Sequence, residues 1–159
     1  MRLALAALFL AILPFAGAAQ PVGNDARWRE GGIGTMASIQ RHRQILSGIP
    51  APYRSMRAPS TQVTGKIARG AALFGAHCVS CHGSMGRGNG PQSGTLYPHP
   101  ADLSWLARVP ANRADPYMYW SIAEGGAEFY SDMPAFKSKL SSTDIWAIIS
   151  YIRSTGNNH

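Results

Sequence analysis

The sequence predicts a mainly helical chain, and three stretches carry that prediction. Ile67, Ala71 and Phe74 recur at i, i+4 and i+7, the spacing of one helix face. Asp115-Pro116 reads as a helix start, because Asp caps and Pro suits the first turn. Ile145, Ile148, Ile149 and Ile152 form an apolar stripe behind Ser141 and Asp144, a capping-box pattern. At 159 residues the length prior is one domain.

Taken in order, residues 1–19 have the pattern of a secretory signal. Arg2 is the positive start, Leu3 to Phe15 the apolar run, and Ala16-Gly17-Ala18-Ala19 the small residues at a cleavage point. The rival reading is an uncleaved anchor. There is no cysteine at the cleavage point, which excludes a bacterial lipoprotein. Export to the periplasm is expected, and nothing after residue 19 is apolar and long enough to span a bilayer. Residues 20–63 read as an N-terminal extension. A short helix is expected from Thr35 to about Ser47, with Met36, Ile39, Arg43 and Leu46 on one face. Gly48 to Tyr53 stops it, and residues 50–62 read as an extended strap anchored by Tyr53.

The remaining chain, 64–159, is the expected domain. Thr64 is a cap candidate for a helix over about 65–77. Gly70 falls inside that helix, where glycine costs about 1 kcal/mol relative to alanine. The simplest reason to keep it is the close crossing of another helix. A second helix is expected from Pro116 to Ala123, ended by Gly125-Gly126, with Tyr119 and Trp120 as bulk for a pocket. The last helix follows Ser141 and gives way to a polar tail from Ser154.

Charge is unevenly placed. The formal net charge is +7. Residues 20–69 hold eight Lys/Arg against Asp25 and Glu30, whereas residues 70–159 hold six of each sign. Nucleic acid is a poor partner for an exported chain. A steering surface for an acidic partner protein or anionic lipid fits better. Simple solvation of a variable arm is the plain alternative.

The chemistry concentrates in Cys78-Val79-Ser80-Cys81-His82, a C-x-x-C-H motif and the attachment pattern of c-type haem. Thiols at this spacing reach the two vinyl groups on one porphyrin edge, and the next residue offers an imidazole to the iron. A disulfide, a thioredoxin-like pair and half a zinc site are the alternatives. The redox pair wants a βαβ context and gains nothing from His82. The zinc site lacks further ligands at matching spacing. The glycine-rich loop 83–90 follows no strand, so it is no phosphate cradle. It is expected to turn the backbone tightly past a flat macrocycle. A proline carbonyl from 97–103, or that of Pro91, is expected to accept the second ring N–H of His82. For a second iron ligand, Met133 in Asp132-Met133-Pro134 is the best candidate, because a thioether is a soft ligand that raises potential. Met85 is three residues from His82, Met118 is on a helix, and Met36 and Met56 are in the extension. His42 and His99 are weaker candidates; His99 could also meet a haem carboxylate.

With these residues in hand, the chain resembles the class I cytochrome c family, bacterial periplasmic type, over about residues 63–155. Gly70 and Phe74 stand eight and four residues before Cys78, as in the family's N-terminal helix. Ile148 and Tyr151 match its C-terminal helix, and Met133-Pro134-Ala135-Phe136 resembles its distal-ligand loop. The resemblance implies an all-α cytochrome c fold, three to five helices around one covalently bound haem, here with an N-terminal extension as a departure. It implies an electron carrier, or the cytochrome subunit of a respiratory or dehydrogenase complex, rather than an enzyme. Its partners would be redox proteins such as a dehydrogenase, an oxidase or another cytochrome. The alternative is a peroxidase-like enzyme or gas sensor with a labile sixth site, in which His99 and Arg87 would serve.

Overall fold

The computed structural model describes residues 48–59 and 65–156. The expected signal, the helix at 35–47 and the Thr64 cap lie outside them. Among the described residues five helices run α1 (Ala51–Arg54), α2 (Lys66–His77), α3 (Val79–His82), α4 (Ala111–Glu124) and α5 (Ser142–Thr155). Three 3-10 turns, Ser93–Thr95, Leu106–Arg108 and Ala127–Phe129, lie between them. No strand occurs among the described residues, so the fold is all-α.

The fold is set by the crossing of α2 and α5. A Cβ on Gly70 would lie 2.0 Å from the Ala147 carbonyl oxygen and 2.9 Å from Tyr151 Cβ. Only glycine lets the two backbones meet this closely. One turn on, the Phe74 and Tyr151 rings lie 5.2 Å apart. Burial on α2 begins at this crossing. Ile67, expected on the buried face, sits in the turn before it and is 53% exposed. Gly65, not a side chain, occupies the N-cap of α2.

The α5 cap is as the sequence suggested. Asp144 N–H donates to Ser141 Oγ (3.2 Å), and Ser141 N–H donates to the Asp144 carboxylate (3.4 Å). Behind it Ile145, Ile148, Ile149 and Ile152 are all buried.

The second long helix corrects the sequence reading. It begins at Ala111, after Pro110, so Pro116 is inside it rather than at its start. The Pro110 carbonyl accepts from Arg113 and Ala114 N–H. Asp115 does not cap. Its carboxylate takes Arg153 Nε and Nη2 at 2.8 and 2.5 Å. Arg153 Nη1 donates to the carbonyls of Leu106, Ala107 and Val109. One guanidinium thus ties the end of α5 to α4 and to the turn that leads into it. Side chains 114–123 are all buried, because α4 lies among α5, the N-terminal strap and the central cavity.

The strap expected as extended over 50–62 opens instead with a helical turn at Ala51–Arg54; residues 56–59 are non-helical and 60–62 lie outside the described residues. Pro50 caps α1 and Pro52 sits in its first turn, where a missing N–H costs nothing. Arg54 folds it back by donating to the Ile49 carbonyl (3.1 and 3.2 Å). Ile49 is buried, and the Tyr53 ring lies 6.1 Å from Tyr119. Tyr53 is an anchor, as expected, and its hydroxyl donates to Glu124 at the end of α4.

Candidate haem cleft

The cleft is built from one helical turn and one loop. Cys78 ends α2 and its N–H donates to the Phe74 carbonyl (2.8 Å). Residues 79–82 continue as the single turn α3, with His82 N–H on the Cys78 carbonyl (2.8 Å). Cys78, Cys81 and His82 therefore project from adjoining turns into one cavity of about 390 Å³. Both cysteines are unpaired thiols. Burial, with the neighbouring Cys81 as a smaller cause, pushes the Cys78 thiol up to about 12.

His82 is held from behind. Its Nδ1–H donates to the Ala101 carbonyl at 3.0 Å. That bond selects the tautomer whose Nε2 carries the lone pair, as a ligating imidazole requires. The acceptor lies in the segment expected to supply it, but it is Ala101 and not a proline. The glycine-rich loop also has a different task from the one expected. Its glycines do not line the cavity. Gly88 N–H donates to the His82 carbonyl (2.8 Å), Gly90 N–H to Cys81 (3.1 Å) and Leu103 N–H to Gly86 (2.7 Å). The loop braces the cysteine–histidine turn from outside and carries the 97–103 segment back to His82.

Met133 lines the same cavity. Its loop is laid on the end of α4: Gly126 N–H donates to the Met133 carbonyl (2.8 Å) and Phe136 N–H to the Ile122 carbonyl (3.0 Å). Gly125, at φ +79°, permits this approach, because a Cβ there would lie 2.7 Å from the Met133 carbonyl oxygen. Of the other candidates, Met85 is 49% exposed and Met56 packs on the core. His99 does line the cavity, with its Nδ1–H 3.3 Å from the Pro100 carbonyl. His42 is outside the described residues. From α4 the lining comes from Tyr117, Met118, Ser121 and Ile122, whereas Tyr119 and Trp120 lie in the core beyond. Sequence reasoning missed Ser121. Its only signal is a hydroxyl four residues after Tyr117 on a helix that turns an apolar face to the site.

Two thiols beside an oriented imidazole, on the wall of one apolar cleft that Met133 also lines, fit a covalently attached haem. Fold and cleft together define a c-type haem protein. The chain belongs to the cytochrome c family: the family model described as Cytochrome c matches residues 67–156. The family carries covalent haem c and serves electron transport, and a single domain of it takes one haem. The chain is also similar to a relative named Cbb3-type cytochrome c oxidase subunit FixP, from Bradyrhizobium sp. (strain ORS 278). Identity is 31% over 134 residues, which is 84% of this chain and 38% of the relative. The chain thus spans well under half of that protein's length. Among the described residues no helix is long and apolar enough to cross a membrane.

Proposed function

We propose that the protein is a periplasmic electron-transfer subunit with one haem c, bound through Cys78 and Cys81 and ligated axially by His82 and Met133. One observation carries this reading: these four side chains, from two separate segments, line a single apolar cavity. When bound, haem supplies a one-electron couple. The chain's own residues do the rest. Ala101 holds the His82 ring in one tautomer. The glycine loop fixes the turn that bears the thioethers. The Met133 loop closes the cleft with a soft donor that favours the reduced state. Two firm axial ligands leave no open position for substrate, which supports electron transfer over catalysis.

The decisive substitution is Met133→Ala. In the haem-loaded protein it removes the weak sulfur-to-iron absorption band of the oxidised form, introduces high-spin bands and lowers the potential. An unchanged spectrum and potential would remove Met133 from the site.

The role as a subunit rests on the likeness to the oxidase subunit. An alignment of 134 residues in a chain of 159 must begin by residue 26, so the likeness enters the arm 20–63. The arm docks the domain 64–159 to its redox partner, a dehydrogenase, oxidase or other cytochrome. Deletion of residues 20–47 spares the strap that packs on the core. It should abolish capture of one specific partner in a pull-down; unchanged capture would remove that role from the arm. Isolation from the periplasmic fraction with an N-terminus near Ala19 or Gln20 would support export and cleavage.

A further inference from the structure

The methionine loop hangs from the end of one helix. Ser131 N–H donates to the Gly126 carbonyl (3.0 Å), and Gly126 N–H to the Met133 carbonyl (2.8 Å). Phe136 N–H donates to the carbonyls of Ile122 (3.0 Å) and Ala123 (3.2 Å), and Lys137 N–H to that of Ala123 (3.1 Å). The last carbonyls of a helix have no partner within it. In α4 the loop's own amides supply partners for two of them, so helix end and loop depend on each other. Helix ends fray, and when the last turn of α4 opens these bonds go with it. On the other rim of the cleft the loop is tied by Tyr97 N–H, which donates to the Asp132 carboxylate at 3.2 Å.

The strap holds that last turn shut. Glu124 is the final residue of α4, and its carboxylate accepts from the Tyr53 hydroxyl. The strap is itself fixed on both sides of Tyr53: Ile49 is buried and Met56 packs on the core. Lys137 Nζ reaches the same carboxylate from the loop at 2.6 Å, but that ammonium is exposed and screened. The phenol is the firmer of the two partners.

We propose that the strap staples the end of α4 through the Tyr53–Glu124 bond and so keeps Met133 in place, setting how readily the sixth position of the loaded haem opens. The inference rests on Met133 being the second axial ligand. Tyr53 and Glu124 are positioning residues: neither lines the cavity, and both act only through the loop. The N-terminal arm, of which the strap is part, thereby serves the redox site as well as any partner.

The test uses the full, haem-loaded chain and two readouts. One is the rate at which cyanide replaces the sulfur in the oxidised protein, followed by loss of the sulfur-to-iron band. The other is amide hydrogen exchange over residues 133–137, which reports opening of the loop whatever the iron binds. Tyr53→Phe should speed both about threefold, part of the roughly fivefold that a net hydrogen bond is worth. Glu124→Ala should do the same, and the double variant should go no further than either single one, because all three lack the same bond. Glu124→Gln, which keeps an acceptor for the phenol, should stay near native. Asp144→Asn, which breaks the Arg69 ion pair at the start of α5, should change neither readout. Native rates in Tyr53→Phe, or single effects that multiply in the double variant, would overturn the proposal. Faster exchange with unchanged cyanide uptake would overturn the role at the sixth position and leave the staple to the fold alone. A native oxidised protein that lacks the sulfur-to-iron band would instead overturn the ligation itself, so the two failures are read separately.

Discussion

A cysteine pair and an imidazole act on one group only if a single turn of chain holds them rigidly, and two distant residues largely secure that turn. Gly70 allows α2 to seat on α5. In Gly70→Ala the new Cβ would meet the Ala147 carbonyl at 2.0 Å, and both neighbours are backbone or the root of a side chain. Neither can step aside, so a loss of about 3 kcal/mol is expected, at the top of the usual overpacking range. Urea unfolding should show it as a lower midpoint at unchanged slope. Arg153→Met should cost about as much, ~3 kcal/mol, because it strands the Asp115 carboxylate beneath α5 and takes a charged donor from three carbonyls, of which Leu106 retains the Val109 N–H. Asp115→Asn, which keeps hydrogen-bonding capacity, should cost less. Gly70 was legible in the sequence because an interior helix glycine demands a reason. Asp115 was misread because a carboxylate before proline serves equally as a cap or as partner to a distant cation. Ser121 was invisible for a related reason: a helical serine normally bonds its own helix, and only the packed structure shows that it does not.

At the scale of elements, the strap reaches the methionine loop through one carboxylate. Tyr53 O–H donates to one oxygen of Glu124, and Lys137 Nζ donates to the other at 2.6 Å. The Glu124 bond, with burial as the smaller cause, pushes the Tyr53 phenol up to about 12 from its ordinary 10.0. A raised phenol pKa stabilises the fold below the ordinary value and ceases to as pH rises from 10.0 to about 12. Lys137 first, and Tyr53 second, hold the Glu124 carboxyl below its ordinary range. That contribution is present above the ordinary carboxylate pKa and fades as pH falls through the depressed one. Lys137 is 62% exposed, so the ion pair itself adds little. The phenol bond matters more. Tyr53→Phe should delete the tyrosinate step near 12 from an ultraviolet titration. It should also speed hydrogen exchange over residues 51–56 roughly fivefold, for a net loss of about 1 kcal/mol. Equal exchange in mutant and native protein would leave Tyr53 as packing alone. The anchor was readable from an aromatic after a Gly-Pro stop. The helical turn was not, since Pro50 and Pro52 suit an extended chain as well as a first helical turn.

For the molecule as a whole, motif and periodicity exposed the haem turn, the methionine loop and the last helix, because covalent chemistry and a four-residue apolar repeat each leave a rigid pattern. Charge leaves no such pattern in the fold, yet it is the most lopsided property of the chain. Residues 20–69 carry a surplus of cations and residues 70–159 are balanced. A basic excess in the arm, continued by Lys66 and Arg69 at the start of α2, would give the molecule a direction in the field of an acidic partner and raise encounter rates. Such steering is screened: the Debye length falls from about 30 Å at ~0.01 M to about 10 Å at ~0.1 M ionic strength. Electron transfer to an acidic redox partner should therefore slow about tenfold across that range, within the span known for steered association. Replacing Arg27, Arg29, Arg41 and Arg43 together by Gln should flatten the dependence and leave potential and spectrum as they were. All four lie outside the described residues. Stopped-flow rates at several salt concentrations decide the matter. If the slope survives the substitution, steering arises from the balanced domain, and the cations of the arm serve only to keep it hydrated.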